Sequence, residues 1–164
     1  MGIIEYFDTL STQQIRELRH CRSIADGIMT SSVASMKIKW PYGQLDGACA
    51  GLILLSMIRS PNTNGFIKSW ALQSIDKSPT GIDINESRFI KLIKADDWDE
   101  FYNAASIGVK LLSQRDKSVD KEDLIFWIKQ RANEWEWPDK YNNGAEKFSF
   151  KAADVFYQHQ RSLR

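Results

Sequence analysis

The sequence predicts an all-α protein of two small helical bundles with about eight or nine helices. Apolar residues recur at helical spacing along most of the chain, and strict alternation of apolar and polar residues is nowhere sustained. The longest helical series is Trp98, Phe101, Tyr102, Ala105, Val109 and Leu112. With 164 residues, of which 43% are hydrophobic and 12% aromatic, the chain is typical of a compact globular protein.

Residues that commonly begin helices precede several of the apolar series. Ser11 or Thr12 can accept a hydrogen bond from the free amides of a first helical turn. Asp97, followed three residues later by Glu100, resembles a capping box in which Asp replaces the usual Ser or Thr. The predicted helices span about residues 3–10, 12–24, 33–39, 45–59, 66–72, 86–94, 98–114, 121–134 and 145–161.

The helical pattern is interrupted most clearly in SIDKSPTGIDIN, residues 74–85. Pro79, Gly81 and several turn-forming residues lie in this segment. We therefore predict an N-terminal helical lobe at residues 1–78 and a C-terminal helical bundle at residues 79–164.

No segment indicates export or membrane insertion. The N-terminus has no positively charged region before an apolar stretch, and the longest apolar run, residues 48–58, is too short to span a bilayer. That run is predicted to be a buried helix. Cys21 and Cys49 lie apart without a CxxC motif, so neither a disulfide framework nor a zinc site is expected. We expect a cytoplasmic protein without membrane association.

Few residues are suited to catalysis or to holding a cofactor. Adjacent helical positions point about 100° apart, so His20 is not expected to face Cys21. The acidic run at residues 96–100 lacks the spacing of a calcium loop and is explained by a helix start, where the macrodipole favours negative charge. We expect no catalytic residue, metal or cofactor. A small helical RNase that uses His20 or His159 is a remaining alternative.

The basic residues are arranged in rows although the formal net charge is only +1. On the predicted helix 86–94 the apolar residues occupy one arc, and Arg88, Lys91 and Lys94 follow at intervals of three on the opposite face. The segment RELRHCR repeats this spacing. Such rows provide phosphate contacts in nucleic-acid-binding proteins, and the alternative for each row is an ordinary solvated helix face. The residues predicted to contact nucleic acid are Arg16, Arg19, Lys37, Lys39, Arg88, Lys91, Lys94, Lys110, Lys129 and Arg131.

The segment INESRFIKLIKADDWDEFYNAASIGVKLL resembles the signature region of CasB, the small subunit of the type I-E CRISPR effector complex Cascade. The shared features are an Asn/Ser-Glu-x-Arg start, a hydrophobic and basic helix that ends in an Ala-Asp step, and a second helix that closes on basic-Leu-Leu. The segment VDKEDLIFWIKQRANEW is similar to the next helix of the family, and TQQIRELR is a weaker match. The resemblance covers about residues 84–135 well and the N-terminal half loosely.

The resemblance implies a non-catalytic subunit of two helical bundles, present in two copies in the complex. The implied partners are CRISPR RNA, the displaced strand of the target DNA, and the large, backbone and guide-processing subunits. Lys94, Lys110, Lys129 and Arg131 occupy basic positions of the family pattern, and Arg16 does so in the weaker match. Two alternatives stay open: the acidic run faces another subunit, or the protein is a helical adaptor without nucleic-acid contact.

Overall fold

The computed structural model describes residues 1–38, 40, 45–59, 65–75, 85–114, 119–138 and 147–163. Within these ranges the chain forms ten α-helices and no extended strand, which confirms the all-α prediction and is close to the predicted number of helices. The helices are α1 (Ile3–Asp8), α2 (Thr12–Arg19), α3 (Ile24–Ile28), α4 (Ser31–Ala34), α5 (Leu45–Ser56), α6 (Phe66–Ile75), α7 (Glu86–Ile93), α8 (Trp98–Gln114), α9 (Lys121–Glu136) and α10 (Phe148–Ser162).

The predicted helix ends hold for α8 and are wrong in the first third of the chain. The predicted helix 12–24 stops at Arg19, and a new helix begins after Ser23, whose hydroxyl accepts a hydrogen bond from the Asp26 amide at 3.1 Å. The predicted helix 33–39 is replaced by the short α4, which Thr30 caps in the same way. Ser and Thr side chains satisfy the free amides of a first turn, so they divide what the apolar spacing had suggested were longer helices.

Helix α5 lies at the centre of the molecule. Its residues from Gly47 to Ser56 are all buried, which confirms a buried helix for residues 48–56, whereas Met57 and Ile58 are buried but lie beyond the end of the helix. Helices α1, α2, α3, α8 and α9 pack around it. A Cβ atom at Gly47 would lie 2.8 Å from Cζ2 of Trp98, so only glycine allows the indole of α8 to approach this closely. None of the described helices combines the length and apolar character that a membrane crossing requires.

Helices on both sides of the predicted boundary share one hydrophobic core. Helix α6 packs against α10, and the Phe89 ring of α7 lies between the Phe156 ring, stacked at 4.0 Å, and the Trp70 ring, at 5.8 Å edge to face. The predicted boundary itself, between residues 78 and 79, lies outside the described residues. The packing of the described helices therefore does not divide into an N-terminal and a C-terminal core.

Candidate nucleic-acid interface

Helix α7 has a fixed orientation because its N-terminal end and its apolar face are both held. The Asn85 side chain accepts a hydrogen bond from the Arg88 amide at 2.9 Å, which begins the helix. Phe89 and Leu92 are fully buried, and the Tyr157 hydroxyl of α10 donates to the Glu86 carboxylate at 2.6 Å. The opposite face of α7 is therefore turned away from the core.

That outward face borders an open groove between α7 and α8. Lys91 and Lys94 line its main part, which has a volume of about 670 Å³, and Arg88 lines an adjoining recess of about 250 Å³ that shares Lys91 with it. Among the described residues, no carboxylate lies within ion-pair distance of any of these three cations. We call this feature the basic groove; its lining consists of Asn85, Ser87, Arg88, Ile90, Lys91, Lys94, Glu100, Asn103, Ala104 and Ile107.

The acidic run that follows α7 is largely occupied in starting α8. The Asp97 carboxylate accepts a hydrogen bond from the Glu100 amide at 2.8 Å, and Oε2 of Glu100 accepts one from the Asp96 amide at 2.8 Å. These bonds confirm the helix-start interpretation. Nowhere in the part of the chain that the structure describes do three His, Cys, Asp or Glu side chains converge as metal ligands.

Two other lysines with a predicted role lie in different surroundings. Lys110 is exposed on α8, three positions after Ile107, and so extends the groove side of that helix by about one turn. Lys129 of α9 lines a separate groove of about 420 Å³ beside α1, together with Glu5 and Glu122. Lys110 is thus a neighbour of the basic groove, whereas Lys129 is not part of it.

Arg131 requires a correction, because its side chain is buried. The residue is only 4% exposed; Nη2 lies 3.0 Å from Oε2 of Glu134, and the guanidinium carbon lies 4.1 Å above the centre of the Trp135 ring. Phe148 encloses it from another side, at 5.1 Å. Burial lowers the pKa of Arg131, and the charge of Glu134 partly offsets that effect. An enclosed guanidinium does not reach a phosphate on the surface, so the predicted contact from Arg131 is not compatible with this structure.

The cations of the first third of the chain do not join the basic groove. Arg16 and Arg19 are exposed on the last turn of α2, and Nε of Arg19 donates to the Ser56 carbonyl at the end of α5 at 2.7 Å. Lys37 is exposed beyond α4. Lys39, also predicted from the sequence, lies outside the described residues.

The groups considered for catalysis are not brought together as a reactive pair. His20 is exposed at the end of α2, while the neighbouring Cys21 is buried. Burial raises the pKa of the Cys21 thiol, and Asp26 and Glu17 raise it further, which is the opposite of what activates a nucleophilic cysteine. Burial also raises the pKa of Cys49 to about 12. His159 lies in the last turn of α10 and is half-buried.

Sequence reasoning missed the α8 wall of the groove. Glu100, Asn103, Ala104 and Ile107 follow the spacing i, i+3, i+4, i+7 and therefore lie on one face of the helix. Ile107 is 39% exposed, although most large apolar residues of α8 are buried. Ile107 lies at helical spacing from Glu100 and Asn103 and does not belong to the apolar series of α8. This position in the sequence could have indicated the α8 wall.

Comparisons of the chain with protein-family models, with curated proteins and with solved structures found no match. The resemblance to the CasB family therefore stays a prediction from the sequence.

Proposed function

We propose that the basic groove binds backbone phosphates of nucleic acid, and that the protein is a non-catalytic small subunit of a CRISPR RNA-guided complex of the CasB kind. The observation that carries this proposal is that Arg88, Lys91 and Lys94 line one open groove without an ion-pair partner among the described residues. Successive cations are separated by about 4.5 Å of helix rise, so together they present a row of positive charge to a strand.

The proposed mechanism is electrostatic and independent of the overall target sequence. Pairing with the guide RNA reads the target, while this subunit stabilises the opened DNA by binding phosphates of the displaced strand and of the guide–target hybrid. A few phosphate contacts give weak binding by the isolated chain. In the assembled complex, the other subunits hold the chain near the DNA and so raise its effective concentration. The same contacts are then sufficient to retain the DNA.

The test is the double variant Lys91→Gln/Lys94→Gln in the assembled complex. We expect weaker retention of target DNA. We also expect the slope of log K against log salt to be shallower by about one to two, because each lost phosphate contact removes about 0.7 to 0.9 from that slope. Both side chains are exposed, so assembly of the complex should not change. Retention is measured by filter binding over a salt series.

The matched control is Lys68→Gln/Lys147→Gln. It removes the same number of charges at exposed positions that do not line the basic groove. Retention close to that of the unmodified complex is expected. Equal weakening by both double variants would show that net charge and not the groove is responsible, and unchanged retention in both would contradict phosphate binding at this site.

A protein-interaction subunit without nucleic-acid contact is the second candidate. The separate groove between α1 and α9 favours it, because Ile3, Ile4 and Ile125 line that groove together with Phe126, which is 48% exposed. This candidate predicts no photocrosslink between the chain and either DNA or RNA. It also predicts that Phe126→Ser weakens co-purification of other subunits, whereas Lys91→Gln/Lys94→Gln leaves target retention unchanged.

A further inference from the structure

We propose that the basic groove, in addition to the phosphates of the proposed function on which this inference rests, binds an unpaired cytosine or adenine through the amino group at C4 or C6 of the base. Three sets of lining residues support this, namely the cations, the apolar side chains, and the polar side chains of the α8 wall. The cations are Arg88, Lys91 and Lys94.

Part of the groove lining is apolar. Ile107 is 39% exposed, and Ile90 and Ala104 are half-buried beside it. Phosphate oxygens gain nothing from contact with aliphatic carbon, whereas the face of a nucleobase packs on aromatic and apolar side chains. Cations beside apolar side chains therefore match the two parts of a nucleotide. The main part of the groove, about 670 Å³, is within the range of clefts that take small ligands and accommodates roughly one or two nucleotides.

The polar wall supplies hydrogen-bonding groups for the edge of a base. Glu100 and Asn103 both line the groove from α8. Oε2 of Glu100 accepts from the Asp96 amide, and none of the described residues donates to Oε1, so that oxygen is available to a ligand. A carboxylate accepts from the amino group of cytosine, and an asparagine amide pairs with adenine. Thymine has a carbonyl oxygen where cytosine has that amino group. A carboxylate repels this oxygen.

The same carboxylate distinguishes a nucleotide from an acidic peptide. An acidic amphipathic helix also combines apolar and negative groups and would suit the lysines of the groove. It would place carboxylates close to Glu100, which disfavours it by like-charge repulsion, whereas a nucleotide can turn its uncharged base toward Glu100 and its phosphate toward the lysines. The groove geometry thus favours an unpaired strand.

The experiment is a titration of the full chain, followed by two-dimensional ¹H–¹⁵N NMR, with three strands of equal length and equal phosphate number. One strand contains only cytosine, one only thymine, and one carries abasic sites. We expect the cytosine strand to bind about three-fold or more tighter than the thymine strand, since one hydrogen bond to a charged group distinguishes them. The abasic strand should bind most weakly, and the amides of Asn103 and Ile107 should shift with the cytosine strand.

The variant Glu100→Gln tests the hydrogen bond itself. Its amide oxygen still accepts from the Asp96 amide, while its NH₂ group donates to the carbonyl of thymine, so the ratio of cytosine to thymine affinity should fall toward one. Asp99→Asn is the matched control, because it removes the same charge from an exposed neighbouring position that does not line the groove. It should leave the ratio unchanged.

The outcomes separate this inference from the proposed function. If all three strands bind with equal affinity and Lys91→Gln/Lys94→Gln loses this binding, the proposed binding of a base is wrong and the proposed phosphate binding stands. A cytosine preference that persists in Glu100→Gln overturns the role of Glu100. An acidic peptide that shifts the groove amides more strongly than the cytosine strand overturns the choice of ligand, and no binding of any strand overturns both proposals.

Discussion

Arg131 shows why a basic residue in a suitable sequence pattern need not lie on the surface. Lys129 and Arg131 are two positions apart on α9, which places their side chains about 200° apart around the helix. Lys129 is exposed and Arg131 is buried against Trp135 and Phe148. The family pattern alone does not distinguish these two environments, whereas the helical spacing already indicates that both residues do not share one face.

The structure predicts a stability role for Arg131. Its replacement in Arg131→Leu leaves the mostly buried Glu134 carboxylate without its cationic partner and with only the bond from the Phe148 amide among the described residues, so we expect the free energy of unfolding to fall by about 2–4 kcal/mol. Chemical denaturation measures this change. Lys129→Leu, on the exposed side of the same helix, should stay within about 0.5 kcal/mol. A loss of stability in Arg131→Leu no larger than that of the control would contradict the role of the buried pair.

At the scale of elements, Asp123 connects α9 to the first turn of α6. Its Oδ2 accepts a hydrogen bond from the Phe66 amide at 2.6 Å, so a carboxylate from one helix caps another. Burial raises the pKa of Asp123, and the nearby Asp120 raises it further; the bonds from Phe66 and Trp127 and the charge of Lys68 lower it by a smaller amount. The protonated form is therefore favoured in the folded protein relative to the unfolded chain.

The sign of the resulting pH dependence follows from proton binding. The folded state holds this proton at a pH where the unfolded chain has released it, so the contribution of Asp123 to stability decreases as pH rises from about 3.8 through the raised pKa. In Asp123→Asn the amide oxygen still accepts from Phe66, and this decrease should disappear. Chemical denaturation between about pH 4 and pH 6 measures the difference from the unmodified protein. Asp99→Asn should retain the original pH dependence, and an unchanged profile in Asp123→Asn would refute the assignment.

At the scale of the whole molecule, one core predicts one unfolding transition. Helix α6 precedes the predicted boundary and packs against α10, which follows it, while α5 packs against both α8 and α9. We expect circular dichroism and tryptophan fluorescence to report coincident transitions in chemical denaturation. Two separated transitions would instead support independent lobes at residues 1–78 and 79–164.

The sequence was sufficient for the all-α class, for α5 as a buried helix and for the basic row of α7, because apolar periodicity and i+3 spacing are local properties of a helix. It was also sufficient for the acidic run, whose bonds join residues at most four positions apart. The ends of α2 and α4 were missed because Ser23 and Thr30 begin or cap short helices inside an apolar pattern that continues past them.

Only the tertiary structure decided which cations share a surface. Arg88, Lys91 and Lys94 form a groove because Phe89 is held between α6 and α10 while α8 supplies the opposite wall. Lys129 faces another groove, and Arg131 lies in the core. Local spacing fixes the angle of a side chain around its own helix. The packing of that helix against residues distant in the chain decides whether the side chain points to solvent, to a groove or to the interior.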